Sequence, residues 1–315
     1  MSTGAFARLA FGPSADAATI QQAIAAAGSD VIDDLSALRR MLAVVEGHVT
    51  PSPVTVRLGA ADVEWARVGD LWLAVDSADV SVSRTLLAGT YEPHVTKVFT
   101  DFCKPGMTVI DVGANIGYYA LLAAHLVGPG GRVVAFEPNS ENCRLLLTSV
   151  SRNQISNVTL FALAAAERRG WAYFGAHLGS NGAFLADGDK RLLEWPGSVV
   201  ATLPLDDVVE GPVHLMKFDV EGVEPLVVDG AKRVIEESRP LVVSEFAPGM
   251  QASSCGRGGE DYLNWFIERD YRVLLLEPDT ARRSPVQPAE LLTSPHRLDD
   301  VLFVPVEFAG GDALE

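Results

Sequence analysis

The chain has 315 residues, of which 41 are acidic and 25 basic, and its formal net charge is −16 at pH 7. This balance argues against a nucleic-acid partner, because a phosphate backbone is normally bound by clustered lysine and arginine, and the sequence has no such cluster. Three scattered cysteines predict neither a disulfide framework nor a cysteine-rich zinc site, and with no leader-like or membrane-length segment we expect a soluble cytoplasmic protein without a membrane partner.

Residues 1–85 are predicted to form a small N-terminal α+β extension. Ser14 and Asp30 are plausible N-caps, and the apolar residues that follow them at helical spacing predict helices at 14–27 and 30–46. Short strands are expected at 54–58, 63–68 and 71–75, the last two joined by a two-residue turn. We interpret the extension as a lid, a recognition element or a homodimer interface. The alternative is a packing segment that covers the edge of the main sheet.

A strand–turn–helix–strand unit follows the predicted helix Pro93–Phe102. Its elements are a buried strand at 108–112, a glycine turn from Gly113 to Gly117, a helix at 118–127 and a second strand that ends in Glu137. The two glycines lack a Cβ and are expected to let the backbone approach a ligand. Glu137 is placed to accept hydrogen bonds from both hydroxyls of a ribose.

The composition of the turn indicates which nucleotide it binds. Asn115 stands where a dinucleotide-binding turn has its middle glycine, which weakens the pyrophosphate interpretation. Asp111, at the head of the turn, would repel a phosphate but attract an ammonium and a sulfonium. S-adenosylmethionine carries both cations, with S-adenosylhomocysteine as the product of its use. The alternative is a glycine turn that merely joins strand to helix.

The middle of the chain is predicted to add a helix at 140–152, a strand at 158–163 and further strands at 170–175 and 199–203. Ala164 follows the first of these strands and is small enough to admit a flat adenine ring, although close packing is an equal explanation. The intervening stretch 176–197 is interpreted as an irregular loop that forms part of the acceptor pocket, because loops of this length are usually functional or disordered.

Carboxylates follow successive predicted strands. An apolar strand at 212–218 precedes Asp219 and Glu221, a helix is expected at 225–237, and a strand at 241–246 ends near Glu245. Because ligands of open α/β sheets bind beyond the carboxyl ends of the strands, we expect these side chains to share one rim with Asp111 and Glu137. The C-terminal part predicts a helix at 259–268, antiparallel strands at 271–276 and 300–306, and a surface loop at 278–296.

Three stretches together resemble the FkbM family of S-adenosylmethionine-dependent O-methyltransferases: Asp111 to Gly117, the strand end Phe136-Glu137-Pro138, and Lys217 to Glu224. The resemblance covers roughly residues 86–306. It implies a Rossmann-like class I methyltransferase fold, a mostly parallel sheet with an antiparallel last strand and helices on both faces, as a domain at 86–315. It also makes Tyr91 and Glu92 candidate cofactor or substrate contacts, since the family has a similar pair there. Capping of the next helix by Glu92 is the alternative.

The predicted reaction is transfer of a methyl group to a hydroxyl of a small or medium metabolite, such as a sugar, glycoside, polyketide or peptide natural product. Asp219 or Glu221 is the candidate base, and Lys217 is expected to pair with a carboxylate or orient the acceptor, or only to neutralise the acidic rim. The candidate cofactor-binding residues share the strand ends and the turn: Tyr91, Glu92, Asp111, Gly113, Asn115, Gly117, Glu137, Pro138, Ala164 and Asp219.

Several alternatives remain open at this level. An NAD(P)-dependent oxidoreductase of Rossmann type and a non-catalytic cofactor-binding module fit the same fold. Mg²⁺ held by Asp219, Glu221 and Glu245 is not favoured, because their spacing matches no recognisable metal-binding loop. His214 is interpreted as a buried, hydrogen-bonded histidine, whereas His94 and His177 are the better histidine candidates for the cleft.

Overall fold

The computed structural model describes residues 63–76, 79, 82–89, 91–178, 181–185 and 197–308. The strands, in chain order, are β1 Glu64–Val68, β2 Leu71–Val75, β3 Thr108–Val112, β4 Arg132–Phe136, β5 Val158–Phe161, β6 Ala164–Ala165, β7 Gly170–Leu178, β8 Asn181–Leu185, β9 Gly197–Leu203, β10 Leu215–Phe218, β11 Leu241–Phe246, β12 Tyr271–Leu276, β13 Arg283–Pro285 and β14 Asp299–Pro305. The helices are α1 Val82–Leu87, α2 Pro93–Phe102, α3 Tyr118–Val127, α4 Ser140–Arg152, α5 Glu224–Asp229, α6 Lys232–Ser238, α7 Pro248–Cys255, α8 Gly259–Ile267 and α9 Pro288–Leu291.

The main sheet has the order β13-β12-β14-β11-β10-β3-β4-β5. Strands β11, β10, β3, β4 and β5 are parallel to one another, whereas β14 runs in the opposite direction and pairs antiparallel with both of its neighbours, β11 and β12. The chain builds outward from β3 to β5 and then returns to β10, so the strand order reverses between β3 and β10. Ligands of open α/β sheets bind at such a reversal, beyond the carboxyl ends of the strands. The predicted fold class is confirmed.

Both faces of this sheet are covered. Successive residues of a strand point to opposite faces, so Val109 of β3 joins one apolar cluster and Ile110 joins the other. Helices α2, α3 and α4 pack on the first face, for example through Leu121. Helices α5, α6 and α8 pack on the second, for example through Phe266. A strand covered on both faces is mostly apolar, which explains why β3 and β10 were predicted as buried strands although they contain Asp111 and Lys217.

The hairpin β1–β2 is confirmed, with its two-residue turn at Gly69 and Asp70. It packs on α4: the amide of Ala74 donates to Ser149 Oγ at 2.8 Å. The Arg152 guanidinium lies over the rings of Trp65 and Trp72, at 4.2 and 4.7 Å. The two helices and the strand at 54–58 predicted before this hairpin lie outside the described residues. The division at residue 85 therefore stays a prediction, although this hairpin shares a core with the main sheet.

A second sheet has the strand order β6-β9-β7-β8. Its first strand, β6, follows the main sheet's edge strand β5 in the chain. Strand β7 pairs antiparallel with both β8 and β9. The expectation of an irregular loop over 176–197 is therefore wrong in part, because β7 extends to residue 178 and residues 181–185 pair with it as β8. The short, glycine-containing β8 has little periodicity of its own, and its strand conformation depends on pairing with β7.

The single helix expected at 225–237 is two helices, α5 and α6. A Cβ at Gly230, between them, would overlap the main-chain carbonyl of Ala166, and the Asp206 carboxylate accepts from the amides of Arg233 and Val234 as α6 begins. Both contacts come from segments that are distant in the chain, so the break between the two helices could not be predicted from the local sequence.

The surface loop expected at 278–296 is also partly wrong, because it contains β13 and α9. Leu291 in α9 is fully buried, and Arg283 in β13 is 8% exposed. Helix α7 lies at 248–255, where no element was predicted. Along the part of the chain that the structure describes, none of the helices has the length and apolar character that crossing a membrane would require.

Candidate active site

A cleft with about 890 Å³ of space, partly open to solvent, lies at the carboxyl ends of the central parallel strands. Most of the predicted site residues line it: Tyr91, Glu92, Gly113, Asn115, Glu137, Pro138, Ala164, Lys217, Asp219 and Glu221. Glu245 also lines it, whereas Asp111 and Gly117 lie behind its wall. The structure thus brings together the strand ends that sequence spacing placed at one rim.

The glycines of the turn are required mainly by contacts within the protein. Gly113 has φ +78°, and a Cβ there would overlap the main-chain carbonyl oxygen of Asp219. Gly117 has φ +95°, and its Cβ would lie 2.6 Å from Leu146 Cγ in α4. The expectation that both glycines admit a ligand is therefore corrected for Gly117, which allows α4 to approach. Gly113 lines the cleft and also lets the turn after β3 touch the turn after β10.

Glu137 holds the glycine turn through hydrogen bonds. Its Oε2 accepts from the amide of Asn115 at 2.8 Å, and its Oε1 accepts from the amide of Asn139 at 2.8 Å and from Asn142 Nδ2 at 3.3 Å. Burial raises the pKa of Glu137 to about 7, against the opposing effect of these donors. A carboxylate oxygen can accept two hydrogen bonds, so Oε2 retains capacity for a ligand hydroxyl. The ribose contact stays a prediction that this geometry permits.

Lys217 lies at the centre of a buried ionic network. Its Nζ is 2.7 Å from Asp219 Oδ2 and lies 4.9 Å from the centre of the Tyr119 ring. In the parallel register of β10 and β3, Lys217 is the partner of Asp111. Burial alone would lower the pKa of Lys217, but the Asp219, Asp111 and Glu92 carboxylates raise it above its ordinary value. The predicted pairing of Lys217 with a carboxylate is therefore present.

Asp111 is fully buried, and neither carboxylate oxygen has a hydrogen-bond partner among the described residues. Burial raises its pKa to about 6, while Lys217 opposes this increase. A buried carboxylate of this kind keeps its charge only because a cation lies beside it. Because Asp111 does not line the cleft, it can influence a ligand there only through its charge.

Glu92 is tied to α3 rather than to its own helix. Tyr119 donates its hydroxyl to Glu92 Oε2 at 2.8 Å, and Glu92 makes no side-chain capping bond to α2. The capping alternative is therefore absent. Tyr119 was not predicted as a site residue, although the paired tyrosines directly after Gly117 were a signal that could have found it. Its neighbour Tyr118 hydrogen-bonds to Thr96 Oγ1 at 3.0 Å.

Two carboxylates of the cleft, those of Glu221 and Glu245, have no hydrogen-bond donor among the residues that the structure describes. Burial, with Asp219 and Glu224 nearby, raises the pKa of Glu221 to about 7. Burial also raises the pKa of Glu245 well above its usual range, and Asp219 and Glu221 raise it further. Glu245 Oε2 is buried and has no hydrogen-bond partner among the described residues. Near neutral pH the Glu221 side chain can therefore exchange a proton with a ligand.

Three residues that line the cleft have left-handed backbones although they are not glycine. Glu92 has φ +38°, Asn115 +50° and Glu221 +56°. The Asn115 side chain compensates by accepting from the amide of Ile116 at 2.8 Å. Such conformations cost about 1–3 kcal/mol each and cluster at functional sites. Here they direct two acidic side chains into the cleft.

The histidine predictions have different outcomes. His214 Nδ1 accepts from the amide of Thr108 at 3.1 Å, which confirms a hydrogen-bonded structural role, although the residue is only half-buried. His94 was expected near the cleft but does not line it, because its Nε2 pairs with Asp300 Oδ2 at 2.7 Å. The side chain of His177 lies outside the described residues. Within the described ranges, no three or more His, Cys, Asp or Glu side chains are grouped so as to hold a metal ion.

The chain is similar in sequence to known methyltransferases. The family model of the methyltransferase FkbM domain matches residues 111–273, just over half of the chain. The chain is 33% identical over 183 residues to 31-O-demethyl-FK506 methyltransferase FkbM of Streptomyces tacrolimicus, covering 46% of this chain and 70% of that protein. It is 34% identical over 70 residues to a protein-L-isoaspartate O-methyltransferase of Methanococcoides burtonii, covering 22% of this chain and 34% of that protein.

Among solved structures, methyltransferase FkbM from Methylobacillus flagellatus aligns with a TM-score of 0.42 at 18% identity, covering 70% of this chain and 52% of that one. The sequence matches decide the family, and the oxidoreductase alternative is set aside. The chain belongs to the FkbM family of S-adenosylmethionine-dependent methyltransferases.

Proposed function

We propose that the chain transfers the methyl group to a hydroxyl of a small or medium metabolite, with Glu221 as general base. The observation that carries the proposal is the pair of carboxylates after β10. Asp219 is bound by Lys217 at 2.7 Å, whereas Glu221 faces the cleft with its pKa raised to about 7. A base is most effective when its pKa is close to the working pH. Glu221 therefore takes the proton, and the Asp219–Lys217 pair positions the reactants.

The lining residues fit the cofactor. Glu137 has an oxygen with capacity for a ribose hydroxyl, Ala164 leaves room for a flat base, and the acidic wall suits a ligand with an ammonium and a sulfonium. The bound cofactor supplies an electrophilic methyl group on its sulfonium. Tyr91 and Glu92, at the start of α2, and Pro138, after β4, complete the candidate cofactor contacts.

The reaction balances with this set of groups. The acceptor O–H bond breaks and its proton passes to Glu221, the O–CH₃ bond forms, and the S–CH₃ bond breaks with its electron pair retained by sulfur. Because charge develops on the acceptor oxygen, alignment of that oxygen with the methyl carbon contributes most of the rate. The O-methyl linkage named in the Streptomyces tacrolimicus relative supports the same choice of atom.

The net charge of −16 also supports a small hydroxylated acceptor rather than a nucleic acid, and we propose a cytoplasmic enzyme of natural-product metabolism. Metal-independent turnover belongs to this proposal. Activity that survives treatment with EDTA supports it, and activity restored only by added Mg²⁺ contradicts it.

We also propose that the chain forms a homodimer through its N-terminal extension. Sedimentation at several protein concentrations measures this oligomeric state.

The first test needs no acceptor. Calorimetric titration should show binding of S-adenosylhomocysteine and none of NADH or NADPH. Hydroxylated acceptors are then screened with trideuteromethyl cofactor, and NMR of the product locates the label. A label on oxygen supports the proposal, and a label on nitrogen, carbon or sulfur refutes it.

The role of Glu221 is tested by Glu221→Gln. We expect kcat to fall about 10²- to 10⁴-fold, with S-adenosylhomocysteine affinity nearly unchanged, because general-base catalysis contributes that much. In the wild type kcat should fall as the pH drops below about 7, because Glu221 then gains a proton. The exposed Glu268→Gln is the matched control. Full activity of Glu221→Gln with an unchanged pH profile would exclude Glu221 as the base.

A further inference from the structure

Carboxyl groups outnumber basic groups among the described residues that line the cleft. Five carboxylates line it, from Glu92, Glu137, Asp219, Glu221 and Glu245, against the single lysine among the described lining residues. Three of the five have donors: Tyr119 for Glu92, three N–H groups for Glu137, and Lys217 for Asp219. Glu221 and Glu245 have none in the described part of the chain. These two are left for a ligand.

Of these two carboxylates, Glu245 has the greater need for a partner from the ligand. The residue lines the cleft, and its Oε2 is buried and has no hydrogen-bond partner in the described part of the chain. A buried carboxylate oxygen without a donor destabilises the protein, because the hydrogen bonds that it made to water are not replaced. Asp219 and Glu221 increase this cost because like charges repel. A cation supplied by the ligand would remove both penalties together.

The position of Glu245 indicates which ligand supplies that cation. In the order β11-β10-β3-β4, Glu137 follows β4 and the glycine turn follows β3, so the nucleotide side of the cleft lies over these two strands. Glu245 belongs to β11, on the opposite side of β10. It is therefore placed on the acceptor side, beyond the carboxylates that follow β10.

We propose that the acceptor is a hydroxylated amine, such as an amino sugar or an aminocyclitol, whose ammonium group binds Glu245 while its hydroxyl faces Glu221. This inference rests on the proposed function and names its substrate class. A divalent metal is the other cation that two carboxylates attract. The amine is favoured because no group of three or more ligand side chains is arranged for a metal ion in the described ranges.

The test measures binding rather than turnover, so its failure is distinguishable from failure of O-methylation. Glucosamine, streptamine and other amino alcohols are each paired with their N-acetyl derivatives, which keep the hydroxyls and lose the charge. Binding to the S-adenosylhomocysteine complex is followed by saturation-transfer NMR and calorimetry. We expect at least one amine to bind about 10- to 100-fold more tightly than its N-acetyl partner, as for a hydrogen bond to a charged group.

Glu245→Gln should abolish this difference, leave the neutral compounds unaffected, and keep S-adenosylhomocysteine affinity within about twofold. The matched control Glu268→Gln should behave as wild type. Equal binding within every pair, or no binding by any amine while S-adenosylhomocysteine still binds, overturns the proposal. So does tight binding of a neutral diol only when magnesium chloride is added, because the cation is then a metal. Selective amine binding followed by transfer to nitrogen would refute the O-directed function and leave the charge inference standing.

Discussion

Replacing Lys217 with methionine tests the buried network most directly. Lys217→Met keeps the length of the side chain but removes the cation beside Asp111 and Asp219, and the lysine side chain is only 5% exposed. Removing one partner of a buried ion pair costs about 3–5 kcal/mol, because the remaining charge is buried without compensation. We therefore expect this loss of unfolding free energy at pH 8.

The loss should depend on pH in a defined direction. The pKa of Asp111 is already raised to about 6, and removal of the adjacent cation raises it by about a further 1–3. A carboxyl whose pKa is higher in the folded state has no such effect below its unfolded-state pKa. Its cost to stability grows as the pH rises from that value and is complete above the folded-state pKa, because between the two only the folded state holds the proton. At pH 5 Asp111 is mostly protonated in both folded proteins, so the loss should be smaller there than at pH 8 by about 1.4–2.7 kcal/mol, the upper value being set by the two pH units between the wild-type pKa and pH 8.

The assay is urea unfolding at pH 5 and pH 8, followed by circular dichroism. Lys232→Met is the matched control, because Lys232 Nζ also lies 2.7 Å from a carboxylate oxygen, that of Asp229, but its side chain is 48% exposed. An exposed pair contributes about 0–1 kcal/mol, and Asp229 keeps a second partner in Arg257. Equal losses in the two variants, or a loss for Lys217→Met that is the same at both pH values, would refute the reasoning.

Two further predictions concern the walls of the cleft. Gly113→Ala should lower the free energy of unfolding by about 2–5 kcal/mol and weaken S-adenosylhomocysteine binding in calorimetry, because the added Cβ would overlap a main-chain carbonyl. Gly256 is the control: it is also at positive φ but has no atom within 4 Å of an added Cβ, so Gly256→Ala should cost only about 1–2 kcal/mol. Tyr119→Phe should lower the free energy of unfolding by about 1.5–3 kcal/mol, measured by thermal or urea unfolding, because it removes the hydrogen-bond donor of the Glu92 carboxylate. Tyr118→Phe loses only a hydrogen bond between two hydroxyls and should cost about 0.5–1.5 kcal/mol. Similar costs within either pair would contradict the structural assignment.

The parts of the fold that could be predicted are those set by local sequence. Helix α2 begins at Pro93 and ends at Phe102 as predicted, because proline is favoured in a first turn and the apolar residues repeat at helical spacing. The site was predictable to the extent that strand ends in one parallel sheet share an edge, which located Glu137, Asp219 and Glu245. Local patterns carry this information because each concerns fewer than about twenty neighbouring residues.

Contacts between distant segments were not predictable. The break at Gly230 depends on the carbonyl of Ala166, and the strand at 181–185 depends on pairing with β7. The partnership of Lys217 with Asp111 depends on the register of β10 against β3, which the sequence does not encode locally. Which carboxylates had donors was also unreadable, so sequence alone did not separate Glu221 from Asp219 as the base.

The left-handed backbone of Glu221 has a consequence for protein engineering. At such a dihedral angle glycine is the residue that folding alone would favour, since it adopts positive φ without a Cβ conflict. Glu92 and Asn115 differ, because their side chains make hydrogen bonds that offset part of the same strain. Selection for heat resistance without selection for turnover should therefore drift toward glycine at position 221 and lose the carboxylate that we propose as the base. Library designs intended to stabilise this enzyme should hold Glu221 fixed and look for improvement elsewhere, because stability and the proposed catalysis oppose each other there.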